Sequence, residues 1–112
     1  MVGTNDHYNS SVQDWIEKMP AGIRAAYARL ANLLVEFGVD LHLPYSRAMG
    51  GGLFELRPHS KEGIARIFYC TLMGKRIVVL HGFIKKTQKT PHKELEIAIR
   101  RMKEVKNEHR KT

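Results

Sequence analysis

The hydrophobic period of the chain changes at the triple glycine of residues 50–52, and this change constrains the fold more than any other feature. Before it, apolar residues recur with the spacing of one helical face, at Ile23, Ala26, Tyr27, Leu30, Leu33, Leu34 and Phe37. After it, residues 54–57 alternate between apolar and charged side chains, which is the period of a strand. Helical patterns in one part of a chain and strand patterns in another are typical of an α+β fold.

Three helices are predicted from these patterns and from the residues that begin and end them. A short first helix follows a serine cap at residue 10 or 11. The second begins at Pro20, whose missing N–H has no partner in a first turn anyway, and ends at Gly38, a residue suited to the left-handed conformation. The third begins at Thr90 and Pro91, a good cap followed by a good first residue.

Three strands are predicted between the second and third helices, over residues 53–58, 64–71 and 76–83. Their connections are short, so they are expected to form an antiparallel meander. The third strand is apolar throughout and is expected to be central and covered on both faces. Residues 41–52 are expected to be a connection and residues 59–63 a turn. Residues 1–10 are expected to be loose, which would leave the sheet without an edge strand before the first helix.

Composition narrows the function of this single domain of 112 residues. Its formal net charge of +8 favours a polyanionic partner: nucleic acid first, then an acidic protein, then an anionic membrane. It has no apolar run long enough to span a bilayer and no secretory signal pattern, so a cytoplasmic protein without a membrane role is predicted. Six histidines without ligand spacing and a lone, strand-like Cys70 predict neither a metal site nor a cofactor.

Four basic residues are the best candidates for chemistry. Arg57 ends the first predicted strand, Arg66 interrupts the second, and Lys85 and Lys86 follow the third. Because neighbouring strands of a meander lie side by side, these cations are expected to converge on one face of the sheet. The alternative for Arg66 is a structural salt bridge to Glu55.

Such convergence would serve RNA cleavage by attack of a ribose 2′-hydroxyl, because cations stabilise the extra negative charge of the phosphorane. Neighbouring cations also lower the pKa of a lysine, so a clustered lysine can act as a base. Further RNA contacts or proton carriers are proposed at His59, Lys61, Tyr69, Lys89, His92 and Lys93. Tyr69 is more readily interpreted as a core residue, and His81 as a strand residue that is hydrogen-bonded locally.

Four segments resemble the RelE/ParE toxin superfamily, and within it the phage-derived HigB-type branch of type II toxin–antitoxin systems. They are WIEKMP (15–20), GGGLFELRP (50–58), GIARIFY (63–69) and IVVLHGFIKKTQKTPHKELEIAIRRMKE (77–104). The resemblance implies a small antiparallel sheet with two N-terminal helices and a C-terminal helix packed on one face. It also implies an endoribonuclease (an mRNA interferase) that cuts mRNA on the ribosome, with Arg57, Arg66, Lys85 and Lys86 as its site. The implied partner is a cognate helix-turn-helix antitoxin.

Two other functions remain open at this point. The ParE-like members of the superfamily inhibit DNA gyrase without cleaving RNA, and a prophage remnant could bind nucleic acid without catalysis. The basic residues Arg57, Arg66, Lys85 and Lys86 favour RNA cleavage over gyrase inhibition, and growth arrest after induction of the intact gene would distinguish a toxin from a remnant. We expect Arg66→Ala and Lys86→Ala each to abolish activity while leaving the fold intact.

Overall fold

A six-stranded mixed sheet with helices on both faces is the framework of the computed structural model, which describes residues 4–73, 76–85 and 91–111. In chain order the described elements are β1 (Thr4–His7), α1 (Ser10–Glu17), α2 (Ala21–Phe37), a 3-10 turn (Gly38–Asp40), β2 (Ser46–Gly50), β3 (Leu53–Leu56), β4 (His59–Ser60), β5 (Gly63–Leu72), β6 (Arg76–Lys85) and α3 (His92–Lys111). The α+β class is therefore as predicted.

The strand order is β1-β6-β5-β3-β2, with β4 paired to the start of β5. The predicted meander is confirmed for β3, β5 and β6, which are antiparallel neighbours, and β6 is internal as expected. The sheet is mixed rather than antiparallel, because β1 lies parallel to β6. The expectation that residues 1–10 are loose was therefore wrong for Thr4–His7, which form an edge strand. The polar segment of β1 forms a strand because β6 supplies its backbone partners and Arg76 pairs with Asp6 at 2.7 Å.

Two further strands also differ from the prediction. The expected connection 41–52 contains β2, an edge strand with one buried residue, Ser46, and therefore no recognisable alternation. The expected turn 59–63 begins with the two residues of β4. The triple glycine makes the turn between β2 and β3, where φ is +95°, +65° and +92°, values that strain any residue with a Cβ.

The two faces of the sheet carry different helices. Alternate residues of β5 separate into two clusters: Ala65, Ile67 and Tyr69 pack with α1 and α2, whereas Phe68 and Cys70 pack with α3. The expectation that all three helices pack on one face was therefore wrong. An amphipathic helix pattern identifies a buried stripe but not the side of the sheet that buries it.

The helix ends follow local chemistry. Asn9, rather than a serine, caps α1, and its side chain accepts a hydrogen bond from the N–H of Val12 at 3.0 Å. Pro20 is the N-cap of α2 rather than a residue of its first turn, and Gly38 ends the helix with φ of +57°, as predicted. The helix after Pro91 is confirmed as α3, while the cap predicted at Thr90 lies outside the described residues.

A bulge in β6 sets the orientation of its second half. Phe68 pairs with His81, but the next residue of β5, Tyr69, pairs with Val79, so that Leu80 is the extra residue. After this bulge, Phe83 packs on the α3 side and Ile84 on the α1 and α2 side.

Gly82 is required beside the bulge because the indole of Trp15 lies directly on it. A Cβ at position 82 would be 2.4 Å from Cζ3 and 3.0 Å from Cη2 of Trp15. We expect Gly82→Ala to lower the free energy of unfolding by about 1–3 kcal/mol, because it overpacks a rigid contact. Urea unfolding checks this. In a Trp15→Ala background the penalty should vanish, and an equal penalty in both backgrounds would contradict the contact.

Candidate functional site

Arg57, Arg66 and Lys85, here called the basic cluster, lie on the α3 side of the sheet beyond the apolar cluster on which that helix packs. In β5, Arg66 is two residues before the buried Phe68, on the same face. In β6, Lys85 is two residues after Phe83, which pairs with Arg66. The strand ends thus carry cations where the apolar face stops.

Arg57 and Arg66 open into the same pocket, which has a volume of about 440 Å³. The pocket is lined by Leu43, Pro44, Arg57, His59, Ile64 and Arg66. The structure therefore brings the two arginines together on one side, as strand alternation predicts. The backbone N–H of Arg57 donates to the carbonyl oxygen of Tyr45 at 3.0 Å, which fixes the residue directly after β3.

Glu55 contributes a buried negative charge beside the cluster. Its Oε1 is 3.6 Å from Nε of Arg66, and the two side chains are only 2% and 7% exposed. Arg66 also donates from Nη1 to the carbonyl oxygen of Ala65 at 3.0 Å. The salt bridge considered as an alternative for Arg66 is therefore present, but it coexists with the pocket rather than replacing it.

The three cations of the basic cluster lie close enough to affect one another's pKa values. Burial lowers the pKa of Arg66, as does repulsion by Arg57, while Glu55 opposes both. Burial is also the largest cause that lowers the pKa of Lys85, and repulsion from Arg66 is the next. Arg57 and Arg47 lower this pKa more weakly, whereas Glu55 raises it. Three cations face one carboxylate, so an anion in the pocket would relieve repulsion as well as bind.

Arg47 is a contributor that sequence reasoning missed. It lies in β2 directly across from Glu55, so it belongs to the same face as the basic cluster. Its side chain is exposed. The signal was hidden because the segment Ser46–Gly50 was interpreted as a connection; had it been assigned as a strand opposite β3, Arg47 would have been placed beside Glu55.

The other proposed site residues are distributed unevenly. His59 lines the pocket, and Lys61 is exposed in the turn before β5. Tyr69 is on the opposite face, 2% exposed, with its hydroxyl 2.5 Å from that of Ser46. Burial raises the pKa of Tyr69, so its phenol is neutral at physiological pH. Because Tyr69 lies on the other face of the sheet, it does not reach the basic cluster.

The remaining candidates lie toward the last helix. His92 and Lys93 are exposed in the first turn of α3, where His92 is 2.8 Å from Glu96. Lys86 and Lys89 lie outside the described residues. His81 does not bond locally within its strand: its Nε2 is 2.5 Å from Oε2 of Glu94, and this contact joins β6 to α3.

The site is built from cations rather than from metal ligands or a nucleophile. No group of three or more potential metal-binding side chains occurs within the ranges that the structure describes. None of the helices in those ranges is long and apolar enough to cross a bilayer. Cys70 is buried, and burial raises the pKa of its thiol, which disfavours the thiolate. What the pocket offers is two guanidiniums and a nearby amine, a set suited to phosphate.

A comparison with protein-family models gives one match to this chain. The model described as "Phage derived protein Gp49-like (DUF891)" matches residues 14–103. That range contains the second half of α1, all of α2, the strands β2 to β6 and most of α3, and it includes every member of the basic cluster. A comparison with curated protein sequences gives no significant match.

Because Arg66 pairs with the buried Glu55, an alanine substitution at Arg66 affects the stability of the fold as well as the site. Arg66→Ala removes a guanidinium from a buried carboxylate, so we expect it to lower the free energy of unfolding by about 3–5 kcal/mol. The expectation that this variant keeps its fold intact is therefore revised. Replacing both partners, as Glu55→Leu with Arg66→Met, should recover most of the loss, as measured by urea unfolding. Equal losses in the single and double variants would contradict the pairing.

Lys85 is expected to destabilise the folded chain while it is charged. Its pKa is lower in the folded than in the unfolded state, so the unfolded chain binds its proton more tightly, and stability rises with pH between those two pKa values. Lys85→Gln should abolish that rise and should increase the free energy of unfolding at neutral pH by up to about 1 kcal/mol. Urea unfolding across a pH series measures both effects. Lys103→Gln, at an exposed position of α3, is the matched control and should change neither.

Proposed function

Because the chain belongs to the Gp49-like family of phage-derived proteins, a family of RelE-like toxins in toxin–antitoxin systems, we propose that it is a HigB-type toxin that cleaves mRNA on the ribosome. The observation that carries this proposal is the basic cluster: Arg57 and Arg66 line one pocket, and Lys85 lies close enough for both to lower its pKa. The proposed partners are mRNA held by the ribosome and a helix-turn-helix antitoxin.

The proposed reaction breaks the bond between phosphorus and the 5′-oxygen of the next nucleotide. The ribose 2′-oxygen loses its proton and attacks phosphorus, which leaves a 2′,3′-cyclic phosphate and a 5′-hydroxyl that takes up a proton. The phosphorane carries one more negative charge on its oxygens than the ground state does. Arg57 and Arg66 face that charge from the pocket, so they stabilise the transition state more than the substrate.

Lys85 is the member of the cluster that can exchange a proton. An arginine stays protonated at all accessible pH values, whereas the pKa of Lys85 is already lowered by burial and by its cationic neighbours. We assign Lys85 the removal of the 2′-hydroxyl proton. Glu55 faces Arg66 rather than solvent and serves to hold that guanidinium in place. His59, at the pocket rim, is positioned to contact the RNA backbone.

The test is cleavage of a reporter mRNA with and without translating ribosomes, with 5′ ends mapped by primer extension. We expect cuts only with ribosomes, and we expect Arg57→Ala to slow them about 10²- to 10³-fold, the usual loss for one transition-state contact. Lys103→Ala, an exposed cation outside the pocket, should cut at the normal rate. Efficient cutting of naked RNA would contradict ribosome dependence.

The pH profile separates the two roles of Lys85. In the wild type the cleavage rate should rise with pH and level off as Lys85 deprotonates. Lys85→Arg keeps the charge but cannot give up its proton, so it should lose the rise and cleave far more slowly. A full rate in Lys85→Arg would assign the residue charge stabilisation alone.

Inhibition of DNA gyrase without RNA cleavage would support the ParE-like alternative, and normal growth after induction would support a remnant.

A further inference from the structure

We infer that Tyr45 is a stacking platform for a base of single-stranded RNA, next to the phosphate bound by the basic cluster. This inference deepens the proposed function and rests on it, since it takes RNA as the substrate. It concerns a residue outside the basic cluster and a second pocket that adjoins the first.

Arg57 is shared by two pockets. On one side is the pocket that contains Arg66, and on the other is a smaller one of about 180 Å³ lined in part by Arg29, Tyr45, Arg57 and His59. Pro44 and His59 also line both. A ligand that places a phosphate against Arg57 and Arg66 can therefore continue past Arg57 into the second pocket without leaving the surface.

The second pocket presents an aromatic ring to solvent beside other exposed apolar side chains. Tyr45 is 45% exposed, and Leu43, two residues before it, is 59% exposed. Ile64, across the first pocket from Leu43, is 39% exposed. Apolar and aromatic surface beside guanidiniums matches a nucleobase attached to a charged backbone better than it matches either group alone.

The ring is held in a fixed relation to the cluster. The carbonyl oxygen of Tyr45 accepts the N–H of Arg57 at 3.0 Å, and its own N–H donates to the carbonyl oxygen of His42 at 3.1 Å. The N–H of the next residue, Ser46, donates to the same carbonyl at 3.2 Å. A turn closed in this way costs little ordering when a ligand stacks on it.

The positive charge of the two pockets that share Arg57 favours an anionic ligand. Among the residues that the structure describes, no acidic side chain lines either pocket, whereas the groove between α1 and α3 includes Glu94, and the pocket beside β1 includes Asp6 and Glu108. Arg29, exposed on α2, adds a second guanidinium to the pocket that Tyr45 and Arg57 line. An alternation of cation, aromatic ring and cation is the pattern of a surface that follows a single nucleic-acid strand.

The experiment measures binding of a short fluorescein-labelled RNA whose 2′-hydroxyls are methylated, so that it cannot be cleaved. A set of these oligomers carries one abasic nucleotide, moved along the sequence. In the wild type, one abasic position should weaken binding by about 5- to 150-fold, the usual worth of one stacked base. Tyr45→Ala should weaken binding of the intact oligomer by a similar factor and should no longer sense the abasic position.

Four variants control for structure and charge. Tyr45→Phe and Tyr45→Trp keep a ring and should bind as the wild type does. Phe37→Ala removes an equally exposed aromatic residue that lines neither pocket and should change nothing. Arg29→Ala should weaken binding of every oligomer alike and should reduce the salt dependence by about one phosphate contact.

The outcomes separate this inference from the proposed function. Full affinity in Tyr45→Ala, or an equal loss at every abasic position, would overturn the stacking role even if mRNA is cleaved on ribosomes. Conversely, the expected abasic pattern with no cleavage on ribosomes would support the platform while rejecting the nuclease.

Discussion

The buried contact between Glu55 and Arg66 is the interaction on which the basic cluster depends. Cations on adjacent strands repel one another, and burial adds a desolvation cost to each charge. Glu55, 2% exposed and pointing to the same face, opposes that repulsion for both Arg66 and Lys85. The pocket can therefore keep a guanidinium at its floor and a net positive charge at its mouth.

This arrangement divides the sheet into two regions along the same strands. Toward the start of β6 the α3 face is apolar and is covered by Ala98 and Met102, whereas toward its end the face is cationic and open. The apolar region supplies stability, and the cationic region lowers it. Stability and binding are thus separated by only two residues in each strand, because the rings of Phe68 and Phe83 stack with their centroids 6.0 Å apart, two residues away from Arg66 in β5 and from Lys85 in β6.

The sequence predicted best what strong patterns control. The helices α1 and α2 and the strands β3, β5 and β6 have clear apolar periods, and the shared pocket of Arg57 and Arg66 follows from alternation in two neighbouring strands. Strand β1 was missed because its stability comes from backbone pairing with β6 rather than from an apolar face. The side of the sheet taken by α3 was missed because the helix pattern contains no information about the crossing.

Within the site, two residues show where the reasoning failed. Tyr69 was proposed as an RNA contact, with a core residue as the preferred interpretation; its position in β5 places it with Ala65 and Ile67, opposite Arg66, so it is a core residue. Alternation alone could have excluded it. Tyr45 had no pattern to reveal it, because it belongs to a turn whose hydrogen bonds to His42 and Arg57 exist only after β3 has found its place.

The extra residue at Leu80 has a consequence for where the lysine points. Side chains change sides at every position of a regular strand, but at the bulge two consecutive residues, Leu80 and His81, share the α3 side. If the same residues paired with β5 without a bulge, alternation would turn the end of β6 over, so that Lys85 would lie on the α1 and α2 side and Ile84 on the α3 side. The bulge is thus as decisive for the chemistry as the identity of the cation, because it determines whether an amine or an alkyl group meets the phosphate.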